Sequence, residues 1–262
     1  MDTLQAILLG IVQGITEFLP VSSSGHLQIA KELLGVELSE NVTFDVTLHA
    51  ATVLSTIAVM WREIWKLLAG LFSRTFNKEQ AYVLKILLSM VPAGVVGVLF
   101  ADRIEALFAS LPFVGFMLLL TAALLTFAYR AKPREKSEIS YRDAFLIGCA
   151  QAVATLPGLS RSGSTIATGL LLGNRKEEVA HFSFLMVIPV ILGKMLLDIL
   201  SGDMAAMSVG TVPLAAGFVA AFVVGALACR FMIDIVKRGK LIWFAWYCAA
   251  AGILSIVGSL FC

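Results

Sequence analysis

Residues 7–26 read ILLGIVQGITEFLPVSSSGH, and residues 145–164 read FLIGCAQAVATLPGLSRSGS. At a constant offset of 138, Gly10 falls on Gly148, Gln13 on Gln151, Ser22 on Ser160, Ser24 on Ser162 and Gly25 on Gly163. Each copy is a short apolar helix pattern, a break marked by Pro and hydroxyl residues, and a second short helix pattern. A broken, polar hairpin that recurs inside an apolar chain is the pattern of a membrane protein whose site is built by two half-repeats. The site is expected where the two breaks meet.

Working outward, 59% of the residues are hydrophobic, only 15% are charged and the mean hydropathy is +0.90. Soluble domains carry about 25% charged residues, so the chain reads as an all-α integral membrane protein. Apolar runs near the roughly 20 residues that a bilayer requires lie at about 42–61, 82–101, 112–129, 182–200, 211–229 and 241–261. They predict six transmembrane helices. The segments 4–19, 22–35, 143–156 and 161–173 are apolar but too short, and a break divides each pair. They predict two re-entrant helical hairpins, which a membrane tolerates only where protein or a wet cavity covers the broken backbone. No cleavable signal peptide is expected, because the N-terminus carries Asp2 and no basic stretch.

Lys and Arg set the orientation. The segments 62–81, 130–142, 174–181 and 230–240 hold 15 of the 20 basic residues, whereas the opposite segments hold only Lys31 and Arg103. By the positive-inside rule the first set faces the cytoplasm and both termini lie outside. The first hairpin then enters from outside and the second from inside, because an odd number of crossings between them inverts the second copy. The expected organisation is a single membrane domain with inverted topology: repeat one at about 1–130, a linker at 130–142 and repeat two at about 143–262. The basic residues flank spans and form no continuous face, so nucleic acid is not an expected partner. A homo-oligomer is left open. Cys149, Cys229, Cys248 and Cys262 lie scattered in apolar segments without metal-site or disulfide spacing and read as small packing residues.

The breaks carry the chemistry. Gln13 and Glu17 stand four apart, on one face of a helix that ends at Pro20 and the run Ser22, Ser23 and Ser24. An intramembrane carboxylate is costly and usually faces a wet interior, although a structural partner such as Arg161 would also account for it. In the second copy, Ser160, Arg161, Ser162, Ser164 and Thr165 open a helix. Helix N-termini bind anions, and Arg offers a planar fork to phosphate oxygens. Two such helix starts with hydroxyls, Glu17, Arg161 and His26 about a common point favour a phosphate-bearing substrate. Taken singly, either stretch reads equally well as small residues packing short helices.

QGITEFLPVSSSGH (13–26) and PGLSRSGST (157–165) resemble the two long motifs of the bacterial undecaprenyl-diphosphate phosphatases, the bacitracin-resistance family. FDVTLHAATVLSTIAV (44–59) and GFVAAFVVG (217–225) are also similar to that family's pattern, so the resemblance covers the whole chain. It implies an enzyme of the bacterial cytoplasmic membrane that hydrolyses the terminal phosphate of a C55 isoprenoid diphosphate lipid with the help of a divalent cation, Mg or Ca. Such an enzyme recycles the lipid carrier of cell-wall synthesis and confers bacitracin resistance. Carried onto this chain, the resemblance makes Glu17 and Gln13 candidates for the metal and water-positioning pair. Ser23 becomes the candidate nucleophile, with His26 as its acid/base partner or itself the attacking group. Arg161 becomes the diphosphate clamp, aided by Ser160, Ser162 and Thr165, with Ser22 and Ser24 of the first break also at the substrate. Gln13 stands where many members carry Glu, and an amide ligates a hard cation more weakly than a carboxylate. Asp45 and His49, again four apart, are expected either as supports at the same cavity or as a structural pair. The alternative reading is a carrier or flippase of the lipid phosphate, since inverted repeats with broken helices also build secondary transporters.

Overall fold

The computed structural model describes residues 1–36, 42–108, 110–131, 136–200 and 209–259. These form eleven helices: α1 (Thr3–Phe18), α2 (Ser23–Leu33), α3 (Val42–Val59), α4 (Trp61–Leu71), α5 (Lys78–Phe108), α6 (Leu111–Arg130), α7 (Tyr141–Val153), α8 (Arg161–Leu171), α9 (Lys176–Leu200), α10 (Thr211–Arg238) and α11 (Ile242–Gly258). Residues 132–135 of the expected linker, and Cys262, lie outside the described residues.

The two hairpins are α1 with α2 and α7 with α8. Asp2 caps α1 in a reciprocal box, accepting from the Gln5 backbone while the Gln5 side chain accepts from that of Asp2. Ser140 and Ser160 cap α7 and α8 one way, their hydroxyls accepting from the Asp143 and Gly163 backbone N–H groups. All four helices are shorter than the roughly 20 residues of a span.

Among the described residues, four helices are long and apolar enough to cross a membrane: Lys78–Ala101 of α5, Leu111–Arg130, Lys176–Leu197 of α9 and Thr211–Arg238. The first and last of the six expected runs differ from these. The 42–61 run is α3, which ends at Val59 and turns through 81° at Met60 into α4, so the two form one bent pair. The last is α11, 17 residues long. Helix α4 itself occupies what the charge pattern marked as a cytoplasmic loop. It buries none of its residues, and its Trp61 and Trp65 are exposed and stacked on each other at 5.8 Å. Aromatic rings beside Arg62, Glu63 and Lys66 are of the kind that suits the plane of a membrane surface.

The hairpins are exchanged between the halves. Helix α1 packs along α10, and α7 packs along α5. The same glycine of the repeat makes both contacts: a Cβ on Gly10 would lie 2.4 Å from the Gly217 backbone oxygen, and one on Gly148 would lie 2.3 Å from that of Ser89. Backbones approach this closely only where neither side chain intervenes. Gly148→Val is therefore expected to cost about 1–3 kcal/mol, read as a lower thermal unfolding midpoint in detergent. An unchanged midpoint would mean that α7 can back away from α5 without loss. The start of α7 is tied to the end of α8: Lys136 Nζ donates to Asp143 at 2.9 Å, and its backbone N–H donates to the Gly173 carbonyl at 3.1 Å.

Candidate active site between the hairpin breaks

Glu17 is the hub. It sits in the last turn of α1, 7% exposed, with Gln13 fully buried one turn earlier. Gln13 Nε2 donates to Glu17 Oε2 at 2.8 Å and to His49 Nδ1 at 3.1 Å. Because Nδ1 accepts, the neutral His49 ring carries its proton on Nε2. Arg161, the first residue of α8, donates from Nη2 to Glu17 Oε1. Ser23, the first residue of α2, lies near enough to the Glu17 carboxylate to interact with it electrostatically. Residues from both hairpins and from α3 thus converge on one carboxylate.

Two polar atoms at this centre are left open. Gln13 Oε1 and Arg161 Nη1 are buried and have no partner among the described residues. Leaving such groups unsatisfied is costly: Arg161 Nη1 calls for an acceptor oxygen, and Gln13 Oε1 calls for a donor or a cation. The backbone carries strain at the same place: Ser22 sits at φ 70°, ψ 95°, a conformation rarely taken by side chains larger than Gly and often found at functional sites.

The remaining expected residues divide. Ser162 reaches across to the first break, donating to the Leu19 carbonyl at 3.2 Å, and lies 3.3 Å from Ser160 Oγ. Ser160 serves as the cap of α8, accepting from Gly163 N–H at 3.1 Å. Thr165 turns away from Glu17, bonding the Arg161 carbonyl at 3.0 Å and Ser183 Oγ at 2.6 Å. Ser24 lies 3.4 Å from Ser22 Oγ. His26 does not pair with Ser23. Its Nδ1 meets the Ser22 carbonyl at 2.9 Å and its Nε2 meets the Tyr247 hydroxyl at 2.5 Å. Asp45 and His49 do not act together either: His49 joins the Glu17 cluster, whereas Asp45 forms a 2.6 Å salt bridge with the buried Lys31 that ties α2 to α3.

Three contributors escape a reading of the motifs. Thr121 of α6 accepts from the Ser160 N–H at 3.1 Å, Ser183 holds Thr165, and Tyr247 holds His26. A threonine inside an apolar helix is a weak signal for the first. For the other two no local signal exists.

Chemically, the site offers a hydroxyl near a carboxylate, a guanidinium with a free edge and the starts of two eleven-residue helices. Groups of these types can bind an anion and activate an oxygen nucleophile.

Comparison with known proteins points the same way. The family model of the bacitracin resistance protein BacA matches residues 6–254. The chain is similar to the undecaprenyl-diphosphatase of Bacteroides fragilis, 57% identical over 263 residues and 99% of both chains. It is 58% identical to that of Parabacteroides distasonis over 264 residues, again 99% of each. The archaeal undecaprenyl-diphosphatase of Methanosphaera stadtmanae is 37% identical over 98% of both chains.

Proposed function

The chain belongs to the bacitracin resistance protein BacA family, and we infer from that membership and from the site that it is an undecaprenyl-diphosphatase. It hydrolyses the phosphoric anhydride of undecaprenyl diphosphate to undecaprenyl phosphate and inorganic phosphate, a step that returns the lipid carrier to cell-wall synthesis and confers bacitracin resistance. One observation carries the residue assignment: Arg161 of one hairpin is paired with Glu17 of the other, with Arg161 Nη1 still open beside it. Phosphoryl transfer asks mainly for positioning and charge neutralisation, and these groups supply both. Arg161 takes the phosphate oxygens. Ser23 attacks the terminal phosphorus and passes its proton to Glu17, the anhydride P–O bond breaks, and undecaprenyl phosphate leaves. Water then cleaves the serine phosphate ester. His26, one turn along α2, is the second proton-handling group. A carrier would need the anion site but would have no use for a nucleophile-capable serine near a carboxylate. Purified protein in detergent is expected to release phosphate from a long-chain prenyl diphosphate with no sealed bilayer present. Binding without release under those conditions would favour the carrier.

The residues fit a divalent cation, Mg or Ca, only in company with substrate. Among the described residues no three His, Cys, Asp or Glu side chains are placed to hold a metal. Glu17 is already matched by Arg161, but Gln13 Oε1 is an open, buried oxygen of the kind a hard cation takes. Glu17 and Gln13 would then hold the ion, with diphosphate and water completing its shell. Its contribution when bound is to neutralise phosphate charge. Gln13→Glu is expected to lower the metal concentration for half-activation, measured by phosphate release after chelation and titration. An unmoved midpoint would remove this face of α1 from the ligand set.

The finer arrangement proposed is six spans and two re-entrant hairpins in an inverted repeat within the cytoplasmic membrane, with both termini outside. The exchanged packing of α1 on α10 and α7 on α5, through equivalent glycines, supports it. So does the concentration of Lys and Arg on one side. With native cysteines replaced, Ser24→Cys is expected to react with an impermeant thiol reagent added to intact spheroplasts. Labelling confined to inverted vesicles would reverse the orientation.

A further inference from the structure

We propose that Tyr247, on the second turn of α11, is the positioning residue of His26, setting the plane and the tautomer of its ring. The proposal rests on the reading of His26 as a proton-handling group. The hydrogen bonds fix the tautomer. The Ser22 carbonyl 2.9 Å from Nδ1 can only accept, so Nδ1 carries the ring hydrogen. The neutral ring then has its lone pair on Nε2, and the phenol 2.5 Å away donates to it. The two rings also stack, with centroids 5.6 Å apart and planes 23° apart. His26 is thereby held at both nitrogens and on one face.

Each restraint comes from a feature that packing does not require. Ser22 presents its carbonyl to His26 from a positive-φ conformation. Tyr247 is 48% exposed, whereas Ala245 and Cys248 carry the buried face of α11. The phenol therefore fills no core, and its defined contacts are with one imidazole. In the resting site it occupies the place at Nε2 that a reacting O–H group takes during turnover. Exchanging one O–H donor for another leaves the ring standing where it was. Ring orientation secured by a hydrogen bond from outside the reacting set is the same device that holds imidazoles in other catalytic and metal sites.

The test uses full-length protein in detergent, with ¹⁵N-labelled histidine. The chain has only three histidines, so His26→Gln assigns the His26 resonances by their loss. In the wild type the neutral ring is expected as the Nδ1–H tautomer with a hydrogen-bonded Nε2. Tyr247→Phe keeps the stack and removes the donor: the Nε2 resonance should move toward a free lone pair, and kcat should fall about tenfold with KM within about twofold, a fraction of the ~10²–10⁴ that acid–base groups contribute. Tyr247→Ala removes the stack as well and should fall further, by about a hundredfold. In the His26→Gln background, Tyr247→Phe should have no additional effect, because a residue that acts through another is silent in its absence. An unmoved Nε2 resonance overturns the proposal, as does a Tyr247→Phe loss that persists without His26. Full turnover by His26→Gln would instead overturn the reading of His26, and the proposal with it.

Discussion

Arg161→Lys is expected to lower turnover by about 10²–10³-fold, the scale of losing one donor at a developing phosphate charge, although the substitution keeps the charge. Nη2 of Arg161 is committed to Glu17 while Nη1, buried, is open to substrate. A planar guanidinium performs both tasks at once with fixed geometry, whereas an ammonium is a mobile point charge that must choose. Lysine would keep the ion pair with Glu17 and surrender the phosphate. The measurement is phosphate release under saturating substrate, with monodispersity in detergent as the check on folding. Near-normal turnover would mean that charge alone matters at this position.

Glu17→Gln should have the larger effect, a loss of at least about 10³-fold, because an amide cannot accept the Ser23 proton. It should also destabilise the protein. Removing one partner of a buried ion pair leaves the other uncompensated, at a cost of about 3–5 kcal/mol, and the side chains of Arg161 and Glu17 are only 19% and 6% exposed. The two consequences separate in the double variant. Adding Arg161→Gln to Glu17→Gln should recover much of the unfolding midpoint while turnover stays absent. Turnover above about 1% of wild type in the single variant would show that Ser23 gives its proton elsewhere.

What was legible in the sequence was the repeat and the chemistry aligned with it. The echo located both breaks, the i, i+4 spacing put Gln13 and Glu17 on one face, and Arg161 was already named as a partner for that carboxylate. Pairings inferred from nearness along the chain fared less well. Ser23 and His26 share a helix, yet the imidazole turns to Tyr247, 221 positions away. Asp45 and His49 share a helix face, yet Lys31 draws one and Gln13 the other. Helical spacing says which residues can point the same way. It does not say which neighbouring helix offers the better partner. Helix α4 was hidden for another reason: its basic residues satisfied the topology rule for a loop, and its tryptophans suit a helix lying in the surface, which a search for spans does not look for.

The exchange of hairpins has a consequence for the nascent chain. Glu17 is synthesised 144 positions before Arg161, and at roughly 5–20 residues per second that interval is about 7–30 s. The helix against which α1 finally lies, α10, is later still, beginning at Thr211. During that interval an ionisable side chain waits in or beside the bilayer without its counter-ion, and the glycine stripe of α1 has no backbone to rest on. The first hairpin therefore cannot be a finished unit when it is made. Its final seating is a late event of biogenesis, and the polar break at Ser22–Ser24 must remain near water or the insertion machinery until the second half of the chain arrives.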